Sequence, residues 1–221
     1  MLRANMRHAG ALRLDHVMGI ERLLWVPDGA IANDGAYVTF DAAAMMAVLA
    51  IESHRHRCMI VGEDLGTVPS GFRERMQQAG LYSMRLVLFE RDGPTFRPAL
   101  QYPPQSVAAF GSHDLPPFHG WWKRHRDQAD GRALRASAGI GGEEVGSASM
   151  AVHAFLGHSG SKVALAQLDD LAGEEAPINV PGTTTERQNW RRRQALTVED
   201  LFSDTQARQI MEAISQSRVV S

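Results

Sequence analysis

The sequence predicts an α/β fold built on parallel strands. Five short runs are apolar and mostly continuous rather than alternating: 11–15, 58–63, 82–89, 106–111 and 162–168. Strands covered on both faces read this way. Helical signals lie between successive runs, and strand-helix alternation implies parallel α/β architecture. Acids also stand at or just past the ends of three runs: Asp15, Glu63 and Asp114.

The first run is "ALRLD". Asp41 then caps a helix through "AAAMMAVLAIESHR", in which Met45, Val48 and Leu49 are expected to share the apolar face. "CMIVGE" is the second strand. Pro69 and Ser70 open a helix through "GFRERMQQAG", and Gly80 is placed to end it in the left-handed conformation. "YSMRLVLF" and "SVAAFG" are the third and fourth strands. Residues 129–150, "ADGRALRASAGIGGEEVGSASM", are rich in Gly, Ala and Ser. They are expected to form a mobile excursion with weak helices, not a linker between domains. "KVALAQL" is the fifth strand, and a turn-rich loop, "PINVPGTTTERQNWRRR", follows it. The last helix is expected to start at a Ser203–Gln206 capping box and to carry Ile210, Met211 and Ile214 on one face.

The chain has 221 residues, a net charge of -2 and 44% apolar residues, enough for a sizeable core. This balance leaves no basic footprint for nucleic acid or for a membrane surface. The apolar runs are too short to span a bilayer, and "MLRANMRHAG" lacks an apolar signal-peptide core. Cys58 has no cysteine partner in the chain and reads as a buried core thiol. A cytoplasmic location is the default.

In parallel α/β folds, ligands meet the carboxyl ends of the strands. A lone carboxylate buried there costs several kcal/mol unless it is paired, hydrogen-bonded or protonated. Three strand-end acids therefore suggest one polar pocket, although such acids also cap the helix that follows a strand. Glycosidic bond cleavage needs such a set, with one carboxylate at the anomeric carbon and one acid at the leaving oxygen. Retention asks for a separation of about 5–5.5 Å, and neighbouring strands lie about 4.8 Å apart. Metal binding by Asp15-His16, Glu63-Asp64 and His113-Asp114 is the weaker alternative, because no HxxxH, HExxH or paired-Cys spacing accompanies them. No phosphate-cradling glycine loop is present.

"LRLDH", "VGEDLGTVP" and "GSHDLP", in this order, resemble the 4-α-glucanotransferases called amylomaltases or disproportionating enzymes of the α-amylase superfamily. "NVPGT" and "NWRRR" strengthen the match. The resemblance implies part of a (β/α)8 barrel, strands four to eight, and transfer of α-1,4-glucan segments between maltodextrins without a cofactor. By it, Asp15 is the nucleophile, Glu63 the acid/base, and Asp114 a ligand of the sugar at the cleaved bond. Arg13 is the partner of Asp15, His113 donates to the same sugar, and His16 binds sugar or orients its loop. Asp64 braces the following turn. The tryptophans, Trp25, Trp121, Trp122 and Trp190, are weighed as core packing ahead of glucan contact. His54, His56 and "NWRRR" read as surface.

A complete barrel of this type takes about 250 residues, and family members run to more than about twice this length. Residues 1–221 therefore read as the carboxyl-terminal half of the catalytic barrel, with 129–150 the excursion between its strands seven and eight. A half barrel has open edges, so the missing amino-terminal half or a second copy is an expected partner besides the glucan. The alternative function is a catalytically inert glucan-binding or split-enzyme fragment.

Overall fold

The computed structural model describes residues 1–218, and the chain divides into two compact units, Met1–Met84 and the part from Arg85 onward. The first unit opens with α1 (Leu2–Met6) and β1 (Ala11–Leu14), then an antiparallel hairpin of β2 (Arg22–Trp25) and β3 (Ala36–Thr39). α2 (Ala42–His56), β4 (Met59–Gly62), α3 (Phe72–Gln78) and β5 (Tyr82–Leu86) follow. β1 and β4 pair in parallel with Leu14 opposite Gly62, and β4 pairs in parallel with β5, Gly62 opposite Ser83. Helices between parallel neighbours are what that pairing requires, since a tight turn cannot return the chain in the same direction. Under this sheet lie Met6, Val17, Met46, Ile60, Phe72 and Met76. Full burial of a Phe or Met side chain stabilises by about 1.5–3 kcal/mol.

The Asp41 cap forms as expected: its Oδ1 accepts from Ala44 N at 3.0 Å. Gly80 is left-handed, at φ +77°, just beyond α3. The apolar face of α2 differs from the expected one. Met46 and Leu49 are buried, whereas Met45 and Val48 are 45% and 49% exposed. A segment reading "AAAMMAVLAI" is apolar nearly all round, so its period cannot choose a side; packing against α1 and β4 does. Among the described residues, the β2–β3 hairpin had no strand signal because neither strand buries one face.

The second unit takes the last two residues of β5 and then a short hairpin of β6 (Arg91–Asp92) and β7 (Thr95–Phe96). It continues through β8 (Ser106–Ala109), α4 (Phe118–His125), α5 (Ala129–Ala138), α6 (Val145–Gly157), β9 (Val163–Leu165), α7 (Leu168–Leu171), α8 (Val198–Ser203) and α9 (Thr205–Ser217). β8 and β9 are parallel, with Val107 opposite Val163. The full strand order is β1-β4-β5-β8-β9. The run at 162–168 is thus part strand and part helix, because Leu168 opens α7. An apolar run alone does not mark that change.

Trp121 and Trp122 are buried, with Phe118 stacked on Trp122 at 5.7 Å and Phe110 edge-on to Trp121 at 5.8 Å. α6 and α9 approach closely at Gly157, where a Cβ would stand 2.8 Å from the Ile214 carbonyl. The cap of α9 is Asp204, whose Oδ1 accepts from Ala207 N at 2.9 Å. Ser203 is not the cap, since its hydroxyl donates to Glu199 O at the end of α8. The preceding short helix claims Ser203, and the next residue caps α9 instead. Among the described residues, no helix is long and apolar enough to cross a membrane.

Candidate active site

The first unit places Arg13, Asp15, His16 and Glu63 at the carboxyl ends of two paired strands. Glu63, one residue past β4, continues the pairing: its N donates to Leu14 O at 2.9 Å, and its carbonyl accepts from Val17 N, three residues past β1, at 3.0 Å. Asp15 and Glu63 therefore sit on neighbouring strand ends. Gly62 lets the chain pass here, because a Cβ would meet Met76 Cε at 2.6 Å and Val17 Cγ1 at 2.9 Å.

Asp15 is 76% exposed at its side chain, and Arg13 Nη1 lies 2.8 Å from its Oδ1. The same guanidinium donates its Nε to Met84 Sδ at 3.4 Å. The Glu63 carboxylate accepts two backbone N–H groups, from His16 at 2.7 Å on Oε2 and from Leu65 at 3.0 Å on Oε1. His16 follows Asp15 directly, so the acid on one strand is tied to the loop that carries the acid on the other. His16 adopts φ 43°, ψ 57°, a left-handed conformation that costs a non-glycine residue about 1–3 kcal/mol and clusters at functional sites. Its backbone N–H braces the Glu63 carboxylate.

Asp64 supports this arrangement from below. It is wholly buried. Its Oδ2 accepts from Arg73 Nε at 2.6 Å, its Oδ1 from Met84 N at 2.8 Å, and its carbonyl from Arg73 Nη2 at 2.8 Å. A buried carboxylate is tolerable only when so partnered. Met84 thereby links Asp64, through its N–H, with Arg13, through its sulfur.

The second unit places His113 and Asp114 beyond β8. Ser112 shapes the turn: its carbonyl accepts from Leu115 N at 3.0 Å and its hydroxyl from Asp114 N at 3.3 Å. His113 Nε2 lies 3.4 Å from Asp114 Oδ2. Asn179 Nδ2 donates to Asp114 Oδ1 at 2.5 Å, and the Trp190 ring lies 5.1 Å from that of His113. Asn179, within "NVPGT", had no expected role, whereas Trp190, within "NWRRR", was expected in core packing ahead of glucan contact. Trp190 is not core packing; it is 60% exposed. Their loop is braced from within: Thr184 N donates to Glu186 Oε2 at 2.8 Å, and that bond leads in holding the Glu186 carboxyl below its ordinary range.

A family model described as 4-alpha-glucanotransferase, of glycoside hydrolase family 77, matches residues 1–197. The 4-alpha-glucanotransferase of Haemophilus influenzae is 34% identical, over all of this chain and 36% of its own length. That of Mycobacterium tuberculosis is 33% identical, over 97% of this chain and 35% of its own. Amylomaltase from Corynebacterium glutamicum superposes with a TM-score of 0.86 at 25% identity, over 96% of this chain and 36% of that one. Amylomaltase from Streptococcus agalactiae, solved in complex with acarbose, gives 0.81 at 19% identity and shows the fold alone. The fold class is α/β, part of a (β/α)8 barrel, and the chain spans about a third of the length of the curated relatives it matches.

Proposed function

The chain belongs to the 4-alpha-glucanotransferase family, and from that membership we propose that it transfers α-1,4-glucan segments between maltodextrins by a retaining double displacement. One observation carries the reading within the fold: two carboxylates end adjacent parallel strands, and the acid at one end takes the backbone N–H next to the acid at the other. Neighbouring strands lie about 4.8 Å apart, close to the roughly 5–5.5 Å that retention requires.

In this reading Glu63 gives its proton to the departing glucan oxygen while Asp15 attacks the anomeric carbon. The covalent glycosyl intermediate holds the donor segment. Glu63, now a base, takes a proton from the incoming sugar hydroxyl, whose oxygen displaces Asp15. Two inversions keep the α-configuration. Arg13 holds Asp15 in place at 2.8 Å. Asp114 takes hydroxyls of the sugar at the cleaved bond, with Asn179 fixing its carboxylate and His113 donating beside it. His16 acts through its backbone on Glu63. A cytoplasmic setting suits a buried, unpaired Cys58.

Incubation with maltotriose tests the reading. A ladder of longer maltodextrins plus glucose is the expected product; glucose and maltose alone would mean hydrolysis. Asp15→Asn is expected to lower transfer by at least about a thousandfold, the scale of removing a group that acts within a catalytic unit. Persistent transfer by that variant would exclude Asp15 as the nucleophile.

A second reading has its own observation. The first unit carries an apolar groove of about 640 Å³ lined by Leu14, Ile20, Phe40, Met45 and Val48. It suits a polypeptide partner, either the rest of a split enzyme or a second copy, and then this chain binds without turning over. Unchanged maltotriose with glucan binding retained would favour it.

A further inference from the structure

We propose that the cleft beside Trp190 is a saccharide subsite, with the indole as its stacking platform; that the sugar is an α-1,4-linked glucose oligomer rests on the transferase reading. The cleft measures about 560 Å³ and is lined by Asn179, Thr183, Arg187, Asn189 and Trp190 among others. Its walls carry amide, hydroxyl and guanidinium groups around one aromatic ring. A pyranose presents the complementary surface, with an apolar C–H face and a rim of hydroxyls that both donate and accept. Concave sites with a few convergent polar groups and an aromatic wall suit such a ligand.

The conformation of Trp190 separates this ring from an incidental surface tryptophan. Its φ is +62°, a region that bulky residues avoid. The loop fixes it there. Trp190 N donates to Ile178 O at 3.0 Å. The neighbouring Asn189 accepts Val180 N at 3.2 Å and donates to Thr183 O and Oγ1 at 3.2 and 2.9 Å. A network that over-determines an unfavourable backbone state points to a function for what it displays. Here it displays an indole, turned away from the core that takes Trp121 and Trp122. Asn179 joins the cleft to Asp114, and His113 faces the indole, so a glucan held by Asp114 has its next contact at Trp190.

Intrinsic fluorescence and calorimetric titration with maltoheptaose test this in an Asp15→Asn background, where the oligomer is not consumed. The parent is expected to show saturable binding. Trp190→Ala and Trp190→Leu are expected to weaken it by about tenfold, the loss typical of removing a stacking aromatic, while Trp190→Phe stays within about threefold. Trp190→Leu keeps apolar bulk without a flat π face, so it separates stacking from simple contact. Unchanged affinity in both variants, each with a thermal midpoint like the parent's, overturns the subsite. So does a parent that binds no maltoheptaose. Transfer by the wild-type chain is scored separately, so the subsite can fail while the transferase reading stands.

Discussion

Arg73 never touches the proposed sugar, yet the site depends on it. It holds Asp64, a carboxylate with no solvent of its own, and Asp64 holds the Met84 N–H. Arg73→Met should therefore lower unfolding stability by about 2 kcal/mol. That is less than the loss from breaking a fully buried pair, because the Arg73 side chain is 46% exposed. Urea unfolding of the wild type and variant checks the number. Transfer should fall further than stability explains, since Met84 also receives Arg13, the partner of Asp15. At this scale the sequence was informative where geometry is regular. Asp15 and Glu63 end apolar runs, and a strand fixes where its last side chain points. Asn179 and Trp190 stand in an irregular loop with no period, and only bonds to distant residues reveal them. Trp190 was misplaced for a further reason: large aromatic residues are usually buried, and nothing local announces a left-handed tryptophan.

The helices show where local chemistry stops being sufficient. Asp41 was legible as a cap because capping is local; the side of α2 that turns inward was not, because its neighbours choose it. α9 is a sharper case. Its cap, Asp204, is local, but its docking includes a contact with α4, where Gln206 Nε2 stands 3.0 Å from His119 Nε2. An amide N–H donates to that ring nitrogen only while the imidazole is neutral. Burial pushes His119 below its ordinary value of 6.5, against the backbone hydrogen bond to Gly173 and the charges of Asp170 and Glu175, with His153 lowering it further. The folded chain thus binds fewer protons than the unfolded chain just below pH 6.5, and the slope of stability with pH is positive there. Stability is full above 6.5 and is lost as pH falls through that value toward the lower folded pKa. Between neutral pH and about 5.5, the protection factors of the α9 amides, taken against the intrinsic exchange rate at each pH, should fall and the urea midpoint should drop. His119→Gln keeps an acceptor for Gln206 without titrating, so it should flatten both trends; an equally steep fall in that variant would exonerate His119.

For the whole molecule, the parallel class and the order of strands and helices could be read from five apolar runs: β4, β5 and β8 are buried along nearly all their length and leave a continuous pattern, whereas β1 and β9 are partly exposed and were marked by the strand-helix alternation. Exposed apolar surface could not be read, since a residue's type does not say whether anything covers it. The strand order begins at β1, an edge. Beside it in the first unit lie Leu14, Ile20, Phe40, Met45 and Val48 around a groove of about 640 Å³, and Ile51 is exposed on the same helix. A contiguous apolar patch next to an open strand edge is the combination that soluble monomers avoid. The net charge of only -2 offers little repulsion between copies. Purified chain should therefore self-associate, with a sedimentation coefficient that rises with concentration and persists in added salt, because the contact is apolar. Met45→Lys with Val48→Glu should restore a monomer: both residues face outward on α2, so the core of Met46 and Leu49 is untouched. These substitutions lie away from Asp15, Glu63 and Asp114, so glucan binding should survive them. A wild-type chain that stays monomeric at every concentration would show that this groove is tolerated bare and that no second copy covers it.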